Sequence, residues 1–148
     1  MSARKEDPRG RFPVAVHLFF FRDDRVLLLR RFNTGWEDGK YSIPAGHVEA
    51  GESVTQTAVR EADEEIGVRL TPEMLEVVHV MHRRSDDARV DFFFLVREWA
   101  GDISNREPHR CDDLAWCPLD ALPEATVPYV RRALECYRNG ESFSEYGW

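Results

Sequence analysis

Three glutamates, Glu61, Glu64 and Glu65, fall within five residues of one another near the end of a stretch running from Gly46 to Val68. At about 100° per residue of helix they share one face, and Val59, Ala62 and Ile66 form an apolar stripe beside it. The acids therefore border the core. Like charges at this spacing repel by roughly 0.2–0.5 kcal/mol per pair, and the C-terminal end of a helix disfavours anions. Arg60, four residues before Glu64, offsets part of that repulsion but cannot neutralise three carboxylates. A divalent cation would. An all-oxygen donor set without a Cys or His cluster suits a hard ion, Mg2+ or Mn2+, rather than zinc. Such ions bridge and neutralise phosphate oxygens, lower the pKa of a bound water and align it for in-line attack on phosphorus, so the bond at stake is a phosphoanhydride. A purely structural, salt-bridged helix is the competing reading, and both dipole and repulsion oppose it.

The flanking residues define the element that carries these acids. Ser53 with Gln56 three residues on is a capping box, and Gly67 suits the left-handed residue that ends a helix, so the spacing predicts a helix over 54–66. Before it, Pro44-Ala45-Gly46 and Gly51 read as a loop that brings backbone close to a ligand, with Glu52 at the helix mouth. Around this unit, 14–21 and 25–31 are β-rich runs joined by a turn at Arg22-Asp23-Asp24. Residues 32–40 read as a loop, and 41–43, 75–83, 90–99 and 114–117 as further strands. Val127, Val130, Ala133, Leu134 and Tyr137 recur at helical spacing, which predicts a second helix over 127–139, stopped by Gly140. The fold class is α/β.

The sequence Gly46, five residues, Glu52, seven residues, Arg60-Glu61-Ala62, one residue, Glu64-Glu65, one residue, Gly67-Val68 resembles the signature box of the Nudix hydrolases. Every charged and glycine position of the box is present, and Ala62 is merely smaller than the aliphatic residue often found there. The order of strands around the box and the stretch Trp116-Cys117-Pro118-Leu119-Asp120 with Leu122-Pro123 are similar to the family as well. The resemblance implies an α/β/α sandwich around a mixed sheet, and one domain over 1–148 with a short N-terminal arm (1–12) and a C-terminal tail (141–148). It implies a metal-dependent hydrolase of a nucleoside diphosphate linked to another group, foremost a nucleoside triphosphate cleaved to monophosphate and pyrophosphate. A nucleotide-sugar or ADP-ribose pyrophosphatase is the alternative, as is a non-catalytic nucleotide-binding module.

Carried over position by position, Glu61 and Glu65 become metal ligands, Glu64 a further ligand or proton acceptor, and Arg60 the orienting partner. The Ala45 carbonyl would reach a metal, and Glu52 would shape the loop. The general base varies in the family, which leaves Glu107, Asp112 and Asp113 open. Outside the box, Arg30, Lys40, Tyr41 and Asp91 are candidate substrate-binding residues, and Phe32 and Trp36 could stack on a base. Core or lid packing competes for at least two of the aromatics, and a paired structural acid competes for Asp91. His82-Arg83-Arg84 reads equally as a phosphate path or a solvated strand end, and His47 as a phosphate contact or a surface residue.

A formal net charge of −7 argues against non-specific binding to nucleic acid or an anionic membrane, and the expected partner is a small nucleotide. The chain lacks a basic, aromatic-interleaved extension, which disfavours an RNA substrate. Three cysteines without a C-x-x-C spacing suggest neither a disulfide framework nor a zinc site, and cytoplasmic residence is the default expectation. No apolar leader or membrane span is expected. Self-association is left open, because the aromatic tail could cover a partner subunit, as in a homodimer, or its own core.

Overall fold

The computed structural model describes residues 7–148, so the first half of the N-terminal arm lies outside the described residues. The chain runs β1 (Val14–Arg22), β2 (Arg25–Arg31), β3 (Tyr41–Ser42), β4 (Ala45–His47), α1 (Val54–Ile66), β5 (Glu76–Arg84), β6 (Ala88–Val96), β7 (Cys111–Pro118), α2 (Pro128–Arg138) and β8 (Phe143–Tyr146). The eight strands make one mixed sheet in the order β3-β2-β1-β6-β5-β8, with β4 also paired to β1 and β7 to β2. β1 lies parallel to β6, and β5 parallel to β8.

Strand alternation divides the core into two layers. Val16, Leu18 and Phe20 of β1, with Leu27 and Leu29 of β2, face α1 and meet Ala58, Ala62 and Ile66. Phe19, Phe21, Val26, Leu28, Met81 and Phe93 face the other way, onto Val130, Ala133 and Leu134 of α2. With both faces covered, β1 reads as a nearly continuous apolar run. The molecule is thus an α/β/α sandwich around a mixed sheet. Among the described residues no helix is long and apolar enough to cross a membrane.

Local chemistry fixes α1 in place. The Ser53 hydroxyl accepts from the Gln56 amide at 3.1 Å, and the Gln56 side chain accepts from the Ser53 amide at 2.8 Å, closing the capping box. Gly67 ends the helix at φ 71°, a left-handed conformation that costs glycine little. The buried stripe of α1 is Thr57, Ala58, Ala62 and Ile66, so Val59, expected inside, lies at its margin. Helix α2 begins at Pro128, whose missing N–H is no loss at a first helical position, while Val127 and Asn139 are its caps.

Two strands differ from expectation. Ala45-Gly46, read as loop, belongs to β4, which pairs antiparallel with β1 through Ala15↔His47, Val16↔Gly46 and His17↔Ala45. Three residues after a proline carry no legible period. The tail supplies β8, which pairs with β5 and is tied to it by His79, whose ring nitrogens reach the Glu141 carbonyl at 2.8 Å and the Ser144 hydroxyl at 2.7 Å. Other boundaries move by a few residues; the sixth strand stops at Val96 rather than Trp99, and the seventh starts at Cys111.

The two antiparallel neighbours on one edge of β1 position the site. β4 pairs with the first half of β1, and β2 with its end, at Phe21↔Val26. The cleft beside them is lined by α1, by β1, β2 and β4, and by Tyr129 of α2.

Candidate active site

Arg60 organises the acids of the cleft. Its Nε and Nη2 donate to the two Glu52 oxygens at 2.8 and 2.9 Å, its Nη1 donates to Glu61 at 2.7 Å and Glu64 at 3.3 Å, and Nη2 also reaches the His47 carbonyl at 3.2 Å. Glu52 in turn accepts from the Thr57 hydroxyl at 2.6 Å and the Glu49 amide at 3.2 Å. The Arg60 hydrogen bond above all, with that of Thr57, holds the Glu52 carboxyl down at about 2. Arg60 is correspondingly raised, chiefly by Glu52. The pair stays charged across the physiological range.

Glu61 and Glu65 are in a different state. Burial first, then the neighbouring charge of Glu61, push the Glu65 carboxyl well above the ordinary range, against the Ala45 amide, which donates to it at 3.1 Å. Burial also raises Glu61, although Arg60 opposes it, and Glu107 adds a fourth negative charge felt by both. Glu61, Glu64, Glu65 and Glu107 all line the cleft. A Cβ in place of Gly46 would overlap the Glu61 carboxylate, so any side chain there displaces it.

These residues fit a hard divalent cation. Carboxylates driven toward neutrality by burial and mutual repulsion are relieved by a nearby positive charge, and every donor is oxygen. Among the described residues no three acidic, imidazole or thiol side chains converge as a closed coordination sphere. Glu61 and Glu64 turn instead to Arg60, and Glu65 to the Ala45 amide. Ala45 thus meets the cluster through its N–H, whereas the resemblance implied its carbonyl.

The cleft, about 680 Å³, is also lined by His17, Trp36, Arg83 and Tyr129, the first three grouped around the Tyr129 ring. Asp91 lies beneath it, fully buried, accepting from His17 Nε2 at 3.0 Å and from Arg83 Nε at 2.7 Å. Burial would raise the Asp91 carboxyl, but His17 and Arg83 outweigh it and hold it at about 2. The Arg83 guanidinium covers the Tyr129 ring at 3.7 Å, and burial pushes the Tyr129 hydroxyl up to about 12. Of the run His82-Arg83-Arg84, Arg83 alone turns inward, while Arg84 lies over the Trp148 ring.

The other substrate-binding candidates divide. Arg30 lines the cleft, with its Nε on Asp112 at 2.7 Å. Lys40 is salt-bridged to Glu37, and the Tyr41 hydroxyl donates to Asp113; neither Lys40 nor Tyr41 is in the cleft wall. Asp91 reaches the cleft only through His17 and Arg83. Of the open acids, Glu107 joins the site, whereas Asp112 and Asp113 are engaged with Arg30 and Tyr41. His47 lines the cleft near Arg89. His17, Tyr129, Arg89 and Arg110 were not legible as site residues, although a histidine inside the apolar run Val14-Ala15-Val16-His17-Leu18 was a signal for the first.

The family model for the NUDIX domain matches residues 11–136. The chain is 26% identical over 122 residues to an 8-oxo-dGTP diphosphatase of Escherichia coli, covering 80% of this chain and 93% of the relative. It is 36% identical over 105 residues to an NAD-capped RNA hydrolase of Pseudomonas aeruginosa, covering 69% of this chain but only 34% of that protein. An ADP-ribose pyrophosphatase of Methanocaldococcus jannaschii is 36% identical over 93 residues, covering 61% of this chain and 53% of the relative. In structure the chain resembles a MutT NUDIX hydrolase of Burkholderia pseudomallei, with a TM-score of 0.78, 29% identity and coverage of 85% and 98%.

Proposed function

The chain belongs to the NUDIX domain family and is a hydrolase of phosphoanhydride bonds, and from that premise we propose that it converts a nucleoside triphosphate to the monophosphate and pyrophosphate. One observation carries this reading: Glu61, Glu64, Glu65 and Glu107 line the same cleft as the rings of Trp36 and Tyr129. The cleft volume is in the range of small-molecule sites. The match to the 8-oxo-dGTP diphosphatase spans nearly all of that relative, while the NAD-capped RNA hydrolase and the ADP-ribose pyrophosphatase extend well beyond the match, which favours a compact triphosphate.

Glu61, Glu64 and Glu65 would hold Mg2+ or Mn2+, with Glu107 as a further oxygen ligand. The ion supplies charge neutralisation of the phosphate oxygens and an acidified water. The protein residues do the rest. Arg60 holds Glu61 and Glu64 in place, and Glu52 fixes Arg60 through both its oxygens. Gly46 leaves room for the Glu61 carboxylate. Of the three acids hydrogen-bonded to Arg60, Glu64 is the most exposed, at 54%, and is the one placed to ligate the ion or to take a proton from an attacking water. Arg30 and Arg110 in the cleft wall supply positive charge for the departing phosphates.

The reading is tested by incubating the protein with Mg2+ or Mn2+ and a panel of nucleoside triphosphates, nucleotide sugars, dinucleotides and ADP-ribose. Monophosphate and pyrophosphate from a triphosphate are the expected products. Turnover confined to ADP-ribose or nucleotide sugars would move the substrate to a diphosphate conjugate, and none at saturating metal would leave a binding module.

A further inference from the structure

His17, in the cleft lining, carries a hydrogen-bonding atom that nothing among the described residues satisfies. His17 is 2% exposed, and its Nδ1 is buried without a partner among the described residues. Its other nitrogen, Nε2, sits 3.0 Å from Asp91, which also takes the Arg83 guanidinium. A carboxylate paired with arginine only accepts hydrogen bonds, so the proton between Asp91 and His17 belongs to Nε2. In the neutral ring Nδ1 is then an acceptor. The Nε2 bond to Asp91 fixes which edge of the ring carries Nδ1, while Phe93 stacks on the ring at 4.6 Å and 16° and Tyr129 meets it edge-on at 5.5 Å and 73°. A buried acceptor of this kind calls for a donor from outside the fold.

The walls indicate what brings that donor. Trp36 is 46% exposed on the cleft rim, its ring centroid 6.3 Å from that of Tyr129 and tilted by 39°. The carboxylates would take the phosphate portion of the substrate, which leaves the aromatic rings for the nucleoside. A flat ring with an N–H on its edge matches both the aromatic walls and the acceptor.

We propose that His17 is a specificity-determining residue: its Nδ1, oriented by Asp91, accepts a hydrogen bond from an edge N–H of a nucleobase seated against Tyr129 and Trp36. Sugar hydroxyls could also donate, but they lack the flat surface that two aromatic rings favour. The inference rests on the nucleotide reading above and deepens it, since it assigns the recognised edge of the base.

The test uses the triphosphate that the protein turns over best and its analogues methylated in turn at each edge N–H of the base. For wild type, kcat/KM should fall about 10- to 100-fold for the analogue that blocks the recognised N–H. In His17→Phe that preference should collapse to within about threefold, mainly because KM for the parent rises. Trp36→Ala, a change at an exposed side chain, should raise KM for parent and analogue alike. If His17→Phe does not fold, His17→Leu takes its place, and calorimetric titration of wild type and variant with the parent monophosphate and its methylated counterpart reads the same discrimination without catalysis. Equal handling of parent and all methylated analogues by wild type would overturn the proposal, as would a penalty appearing only with 2′- or 3′-deoxy nucleotides, or discrimination that survives in His17→Phe. Absence of any turnover would count against the functional reading instead, and the monophosphate titration would still decide the role of His17.

Discussion

Glu52 and Arg60, eight residues apart, are joined by two hydrogen bonds, Nε to Oε2 at 2.8 Å and Nη2 to Oε1 at 2.9 Å. This bidentate pairing ties the loop before α1 to the second turn of the helix and leaves Arg60 Nη1 for Glu61 and Glu64. Glu52 is therefore a positioning residue. Glu52→Gln keeps the shape but weakens the grip on Arg60. We predict a fall in kcat of about 10- to 100-fold, of the size seen when a partner orienting metal ligands is lost. Thermal melting should move by only a few degrees. Unchanged kcat with intact folding would contradict the assignment.

Gly46 faces the Glu61 carboxylate across a gap too small for a methyl group. Gly46→Ala must push Glu61 away, and with it the contact to Arg60. Activity should drop by at least about tenfold, since small misplacements of reacting groups are costly. Far-ultraviolet circular dichroism should be unchanged, because β4 and α1 keep their pairing and caps. Gly46→Ala with normal turnover would show that Glu61 need not sit where it does.

Legibility of the site followed the physics of each signal. The helix over 54–66 was readable to the residue because its capping box and its left-handed glycine are local chemistry. The crowded acids were readable because they break the rules of an ordinary helix. β4 was not, since its three residues pair with β1 only through tertiary contact. Nor was the aromatic lining of the cleft. Tyr129 lies one residue into α2 at a position that also suits core, and Arg83 could not be told apart from its neighbours His82 and Arg84 until strand direction was fixed. Tyr41 and Lys40 were drawn to substrate by proximity to the box in sequence, but strand pairing sends them to Asp113 and Glu37.

Acid stability should depend on Asp91. Burial opposes its charge, but His17 and Arg83 carry the carboxyl down from 3.8 to about 2. Because the folded value lies below the unfolded one, the stabilisation is complete above about pH 4 and is lost as pH falls through about 2. A depression of this size corresponds to roughly 2 kcal/mol. Asp91→Asn should flatten the stability curve between those limits in denaturant titrations. At neutral pH it should also destabilise by about 3 kcal/mol, as Arg83 is left buried without its counter-charge. An unchanged acid limb would sink the assignment.

Metal affinity should follow the buried acids. Glu61→Gln and Glu65→Gln each remove a carboxylate from the cluster, and Mn2+ binding, followed by calorimetry or the loss of free-ion paramagnetic signal, should weaken by about tenfold or more. Asp112→Asn, which alters an acid engaged with Arg30 outside the cleft wall, should leave that affinity unchanged. Equal effects from all three would place the ion elsewhere.

The account stands most directly on product release from a nucleoside triphosphate by metal-stripped protein as Mg2+ is titrated back. It predicts no hydrolysis in chelator, then saturable formation of one monophosphate and one pyrophosphate per triphosphate consumed, lowered by orders of magnitude in Glu65→Gln. Equal turnover in chelator, release of orthophosphate in place of pyrophosphate, or a Glu65→Gln protein as active as wild type would contradict it.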